Sequence, residues 1–202
     1  MALLEEADLG VRARLDLARG AIDAWCQVTT RLAGPAALLT GGLWTIAGLF
    51  VVGQATPPDW PGYHIDVLPM TVAATTLGLI GILGCWARQR DAVGRIGGVA
   101  VLVAIIGQAG WAVALGATLF GPTPGLAVVV GQAAGLIGCL LVGLVLVRTD
   151  DVVVGAVIAV ASATMLFGWP IAWLGYGLAW TLAGSVLLRA GDPIDPSWPR
   201  IA

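Results

Sequence analysis

Six stretches of the chain run without a single charged residue: Leu32–Val52, Leu68–Ala87, Ile96–Leu119, Leu126–Val147, Val152–Gly168 and Ile171–Leu188. Each is continuously apolar and lacks the strict alternation of a half-buried strand. A helix rising about 1.5 Å per residue needs roughly 20 residues to cross about 30 Å of hydrocarbon. The first four stretches meet that length, and the last two are short. Only Trp169 and Pro170 separate them. Joined as one helix, Val152–Leu188 would measure about 55 Å, too long for one crossing. Pro170 cannot continue a helix without losing a hydrogen bond but starts one well, so a tight turn between two crossings fits better. The pattern predicts an all-α integral membrane protein with six transmembrane helices.

The arginines orient this bundle. Arg12, Arg14, Arg19 and Arg31 precede the first span, Arg88, Arg90 and Arg95 follow the second, Arg148 follows the fourth, and Arg189 and Arg200 follow the sixth. The three remaining connections hold none. With strict alternation all ten fall on one side, which the positive-inside rule assigns to the cytoplasm. The expectation is a protein integral to the cytoplasmic (inner) membrane with both termini inside. Three regions follow: a cytoplasmic amphipathic segment 1–31, a membrane bundle 32–188, and a cytoplasmic Pro-rich tail 189–202.

Within 1–31, Leu4, Ala7, Val11, Leu15, Ala18, Ile22 and Trp25 recur every three or four residues. That spacing makes one face of a helix, and Asp8–Arg12 and Arg19–Asp23 add i,i+4 pairs. The expected structure is an N-terminal amphipathic helix lying along the headgroups, with docking to a partner as the alternative. The segment is not a secretory signal, because its first charges are Glu5, Glu6 and Asp8 and no apolar run precedes Arg31.

Composition narrows the function. The 202 residues are 58% hydrophobic and 11% charged, with a net charge of −2. Soluble domains carry about a quarter charged residues, so a water-facing globule and a nucleic-acid partner are both excluded. Cys26, Cys85 and Cys139 fall inside the bilayer or on its cytoplasmic side, so no disulfide framework is expected. No Asp, Glu, Arg or His lies inside any span. Intramembrane ionisable groups mark proton relays and catalytic sites. Their absence points away from an enzyme and from proton-coupled exchange through a buried carboxylate, and no cofactor or metal is implied.

Polar side chains at depth are few. Gln108, Gln132 and Tyr176 are the candidates for lining a solute path or for joining helices, and a buried amide must find a partner either way. Gly94-x-x-x-Gly98, Gly131-x-x-x-Gly135 and Gly78-x-x-Gly81-x-x-Gly84 allow close helix approach, internally or toward a membrane-protein partner or a second copy. Trp44, Trp111 and Trp180 fall deep, where filling a gap or facing lipid is the plain reading. Two short similarities link spans: Trp44-Thr45-Ile46-Ala47-Gly48 with Trp180-Thr181-Leu182-Ala183-Gly184, and Gly107-Gln108-Ala109 with Gly131-Gln132-Ala133. They join the first span to the sixth and the third to the fourth. An inverted three-plus-three repeat would join the first to the fourth, so they read as low-complexity coincidence.

The connection Gly53–Val67 is the long outer loop. It carries Asp59, Trp60, Tyr63, His64 and Asp66 as a candidate surface, cap or partner contact. His64-x-Asp66 supplies two metal donors where a site wants three or four. The expected role is therefore a non-catalytic accessory or structural subunit of a membrane assembly. The alternative is a transporter, or the substrate-capturing part of one, for a small neutral or apolar molecule. An enzyme built on His64, Asp59 and Asp66 ranks third.

Overall fold

A computed structural model describes residues 2–53, 67–121, 125–149, 151–166 and 170–189. Those residues form five helices and no strand: α1 (Ala2–Val52), α2 (Leu68–Thr118), α3 (Gly125–Leu146), α4 (Val152–Met165) and α5 (Pro170–Arg189). Four of them, α1, α2, α3 and α5, are long and apolar enough to cross a membrane. The fifth, α4, has 14 residues, or about 21 Å, less than a standard bilayer core. The expected stretch 152–168 is thus helical over a shorter length than its apolar run.

Two helices are longer than the apolar pattern predicts. α1 passes through position 31 without a break, so the amphipathic segment and the first apolar stretch are one helix of 51 residues, with Pro35 inside it. Proline removes one backbone donor, but the buried neighbours Ala33, Ala36 and Ala37 hold the helix on course. α2 joins the second and third apolar stretches through 88–95, which the pattern places in a water-facing connection. Its only non-helical residue is Gly94, at φ 57° and ψ −153°, a conformation open essentially to glycine alone.

Gly94 is where α2 folds back. Before it, the Ala74 carbonyl accepts a bond from Thr40 Oγ1 at 3.3 Å. After it, Trp111 stacks on Trp44 with ring centroids 5.3 Å apart. In a straight helix Ala74 and Trp111 would lie about 55 Å apart, yet both meet the same turn of α1. α2 therefore has two antiparallel arms, 68–93 and 95–118. The elements close a ring in which α1 touches α2 and α5, α2 touches α3, and α4 bridges α3 and α5.

Glycine sets the spacing in that ring. A Cβ at Gly41 would strike Thr181, one at Gly48 would strike Leu174, one at Gly177 Thr45, and one at Gly184 Leu38. These pairings describe one antiparallel contact between α1 and α5. The Trp-Thr-x-Ala-Gly similarity lies inside it. Positions 38–48 and 174–184 share six of eleven residues, now including Leu38/Leu174 and Gly41/Gly177. The second similarity behaves alike: Gly107 abuts Gly135, and Gly131 abuts Trp111, across α2 and α3. The matches are thus the two faces of local, nearly two-fold helix pairs, which corrects their reading as coincidence. Gly78, Gly81 and Gly84 face Thr40, Trp180 and Ala33 respectively. Gly94-x-x-x-Gly98 is not a packing motif: Gly94 makes the fold-back, and Gly98 has open space beside it.

Candidate functional site: a buried aromatic and amide cluster

The largest buried side chains converge where α1, the second arm of α2, and α5 meet. Trp44, Trp111, Trp180 and Tyr176 are each at most 2% exposed. Trp44 is the hub: Trp173 meets it edge-on at 5.3 Å and Tyr176 edge-on at 5.6 Å. Tyr176 in turn meets Trp180 at 6.3 Å. Edge-to-face contacts of this kind add about 0.5–1.5 kcal/mol each beyond area burial. Trp44, Trp111 and Trp180 thus fill the core, as the plain reading of their depth anticipated. Trp173 belongs with them, although its place near a span end suggests an interfacial residue.

Polar groups line one side of the cluster. Gln108 Nε2 donates to Cys139 Sγ at 3.2 Å, tying α2 to α3. The Tyr176 hydroxyl interacts with both Gln108 and Cys139. Two of the three predicted depth residues, Gln108 and Tyr176, are therefore brought together. Gln132 is also buried and engaged, on α3. Cys139 is the member that sequence reasoning missed; a lone cysteine in an apolar run carries no signal until its neighbour is known. Trp180 Nε1 is buried without a hydrogen bond, on the ring that meets Tyr176 edge-on. Among the described residues, Ser162 Oγ, on α4, is the other buried side-chain group without a partner.

Most hydroxyls return to their own helix. Thr45 and Thr181 donate to the carbonyls four residues back, at 2.8 and 3.0 Å; Thr75 bonds likewise, and Thr164 donates to the carbonyl three residues back. Such bonds satisfy the hydroxyl locally and join nothing. Thr40 is the exception, because its bond to Ala74 crosses from α1 to α2.

Two openings lie elsewhere on the described bundle. An apolar groove of about 520 Å³ runs along the outer face of the α2–α3 pair, lined by Ile106, Gly110, Val113, Ala117, Val130 and Ala134 among others. A smaller polar notch of about 350 Å³ lies between α1 and α2, with Asp23, Cys26, Arg88, Arg90 and Asp91 on its wall. Near it the fold-back is anchored: Arg88 Nε reaches Asp151 at 3.5 Å, and Gln89 Nε2 donates to the same carboxylate at 2.7 Å. Arg90 bonds Asp23 at 2.9 Å and Cys26 Sγ at 3.5 Å. The Asp23 carboxylate raises the Arg90 guanidinium above its already high pKa.

Asp59, Trp60, Tyr63, His64 and Asp66 lie outside the described residues. Among the described residues, no three His, Cys, Asp or Glu side chains converge as a metal site would need. Comparison of the chain with protein-family models, with curated proteins and with solved structures finds no match.

Proposed function

We propose that this chain crosses the cytoplasmic membrane six times, with both termini inside, as a non-catalytic accessory or structural subunit of a membrane assembly. The fold-back at Gly94 supports two crossings from α2, and α4 serves as a short one. Antiparallel contacts gather Arg31, Arg88, Arg90, Arg148 and Arg189 toward one end of the bundle: Gly34 abuts Leu188, Gly84 abuts Ala33, and Asp151 holds Arg88. That grouping agrees with the positive-inside assignment.

The observation carrying the structural role is the engagement of Gln108 and Tyr176, with Cys139, in helix–helix contact. Amides committed this way hold a bundle in one arrangement. The α2–α3 groove is the face that remains for a partner's transmembrane helix. The test is affinity purification in mild detergent together with cross-linking from Gly110→Cys. A stoichiometric partner and an adduct of fixed mass are expected; a clean monomer with no adduct overturns the role.

Trp180 favours the second reading, a transporter for a small neutral or apolar molecule. Its buried indole N–H, on the ring that meets Tyr176, makes no geometric hydrogen bond and is a donor that a passing solute can use. Uptake of neutral solutes into vesicles containing the purified chain, lost in Trp180→Phe, supports that reading. Vesicles no leakier than protein-free ones exclude it.

A further inference from the structure

Every residue of α1 from 16 to 25 is exposed, whereas Cys26, Thr29, Ala33, Ala36 and Ala37 are buried. The N-terminal part of α1 is therefore an arm that leaves the bundle. Its rotation is fixed at the root, because Arg90 of α2 bonds both Asp23 and Cys26. Asp16, Arg19, Asp23 and Cys26 follow at spacings of three and four, so they share that α2-facing side of the helix. The opposite side carries Ala18, Ala21, Trp25, Val28 and Leu32, all exposed.

That apolar line does not end where the bundle begins. It continues through Pro35, Leu39, Ile46 and Leu49, also exposed, with open space beside Gly42 between them. In the other direction the sequence carries it through Arg14 to Val11, Ala7 and Leu4. The spacing alternates three and four throughout, a seven-residue repeat from Leu4 to Leu49 in which Arg14 is the one charge. A straight helix drifts about 20° per heptad from such a line, so the line stays in contact only with a second helix wound around the first. Leu17 and Ile22, at 76% and 54% exposure, flank it, at the positions that meet across a parallel two-stranded seam.

Geometry chooses the occupant. Lipid covers an amphipathic helix that lies in the interface plane. α1 stays helical through position 31, which carries the arm along the axis of the span and out of that plane. An arm of this length holding Gly10 and Gly20 is marginal as an isolated helix in water, so its apolar side calls for protein. Two copies in one membrane present identical arms, parallel and at equal height, and each line then meets itself in register. At about 1.5 Å per residue the line is about 68 Å long, and a helix is about 10 Å wide. Pairing it would bury about 1,350 Å² over both copies, the size of a stable interface.

We propose that two copies of this chain pair through α1, as a parallel coiled coil that begins in the membrane and runs out along the arm. This rests on the membrane placement proposed above, and it leaves the α2–α3 groove free for another partner. Like charges face each other on the seam only at Arg14, at a cost in stability.

The test is disulfide scanning of the full chain in phosphatidylcholine–phosphatidylglycerol vesicles at high lipid dilution, with native mass spectrometry in mild detergent alongside. Ala18→Cys and Ala21→Cys are expected to form a covalent dimer at least about fivefold more than Asp16→Cys and Arg19→Cys. The native cysteines are buried, and the unsubstituted chain sets the baseline. Ala21→Asp places like charges on the seam and should cut the dimer fraction about tenfold, while Arg14→Leu should raise it. These positions are exposed, so the bundle of each copy is expected to fold unchanged. Equal cross-linking around the helix, no cross-linking in the arm, or a dimer that Ala21→Asp leaves intact each overturns the proposal. A fluorophore on Ala18→Cys quenched by brominated lipid would assign the arm to the membrane surface. A cellular adduct whose mass is not twice that of the chain would assign it to a different protein. Either result overturns the pairing of copies. Failure of the membrane placement is seen separately, as recovery of the chain in the soluble fraction without detergent.

Discussion

The α1–α5 pair and the α2–α3 pair solve the same packing problem with the same residues, yet leave different surfaces. In both, glycines lie against a neighbour's backbone in antiparallel register, and both carry a matched short sequence on their two helices. Between α1 and α5, Gly41, Gly48, Gly177 and Gly184 close the seam, and Trp44, Trp173, Tyr176 and Trp180 cluster on the same two helices. Between α2 and α3, Gly107, Gly131 and Gly135 close the seam, while Gly110 faces the outside with nothing near it and helps to line the apolar groove. Small residues thus do two things: they draw helices together where a large residue caps the seam, and they leave a recess where none does. Glycine content alone does not distinguish the two.

The comparison can be broken from either side. The largest expected effect is on the capped pair. Trp44→Ala removes the ring that Trp111, Trp173 and Tyr176 all contact and should cost about 3–5 kcal/mol, measured by denaturant titration in mixed micelles. A loss below about 1 kcal/mol would mean that the aromatic cap is not what holds α1 and α5 together.

Next come the seams. Gly41→Val drives a side chain into the Thr181 backbone, and Gly107→Val drives one into Gly135. Each is expected to cost about 1–3 kcal/mol or more through overpacking. Similar losses in both would sharpen the parallel between the pairs. A near-neutral Gly107→Val would show that the α2–α3 seam yields where the α1–α5 seam does not.

Gly94→Ala isolates the backbone term. Open space surrounds the position, so a methyl clashes with nothing, and only the positive φ is strained. A loss of about 1–3 kcal/mol is expected. Gln108→Leu should cost about 0.6–2 kcal/mol, the range for one interhelical polar contact in a membrane. The smallest stability effect belongs to Gly110→Leu, within about 0.5 kcal/mol. The same variant should abolish co-purification of a partner seated in the groove, and undiminished recovery of that partner would show that it sits elsewhere.

The helical class was legible because an uncharged run of some twenty residues has few other ways to satisfy its backbone in lipid. That Gln108 and Tyr176 are polar side chains set in apolar runs was legible as well. Their meeting was not, since it depends on how α2, α3 and α5 rotate about their axes, and the apolar runs of α2 and α4 carry little facial bias. Helix ends were misjudged where charge was taken as a boundary. Arg88, Arg90 and Asp91 remain helical because a helix exposes its side chains to water as readily as a loop does. Asp151 and Asp23 then fix these residues in place. The Trp-Thr-x-Ala-Gly match was visible in the sequence, but without knowing that α1 and α5 touch, nothing separated it from chance in a Gly- and Ala-rich chain.

The one-dimensional pattern of apolar runs and arginines was enough to determine an all-helical chain with several helices long and apolar enough to cross a membrane, because hydrophobic length is a local property read along the chain. The tertiary structure alone decided that α2 doubles back at Gly94, that the deep tryptophans share one cluster, and which glycines close seams and which remain open. Those are questions of rotation and register between helices. Contacts within about 4 Å set them, and in apolar helices of nearly uniform composition no periodicity announces which face will meet which.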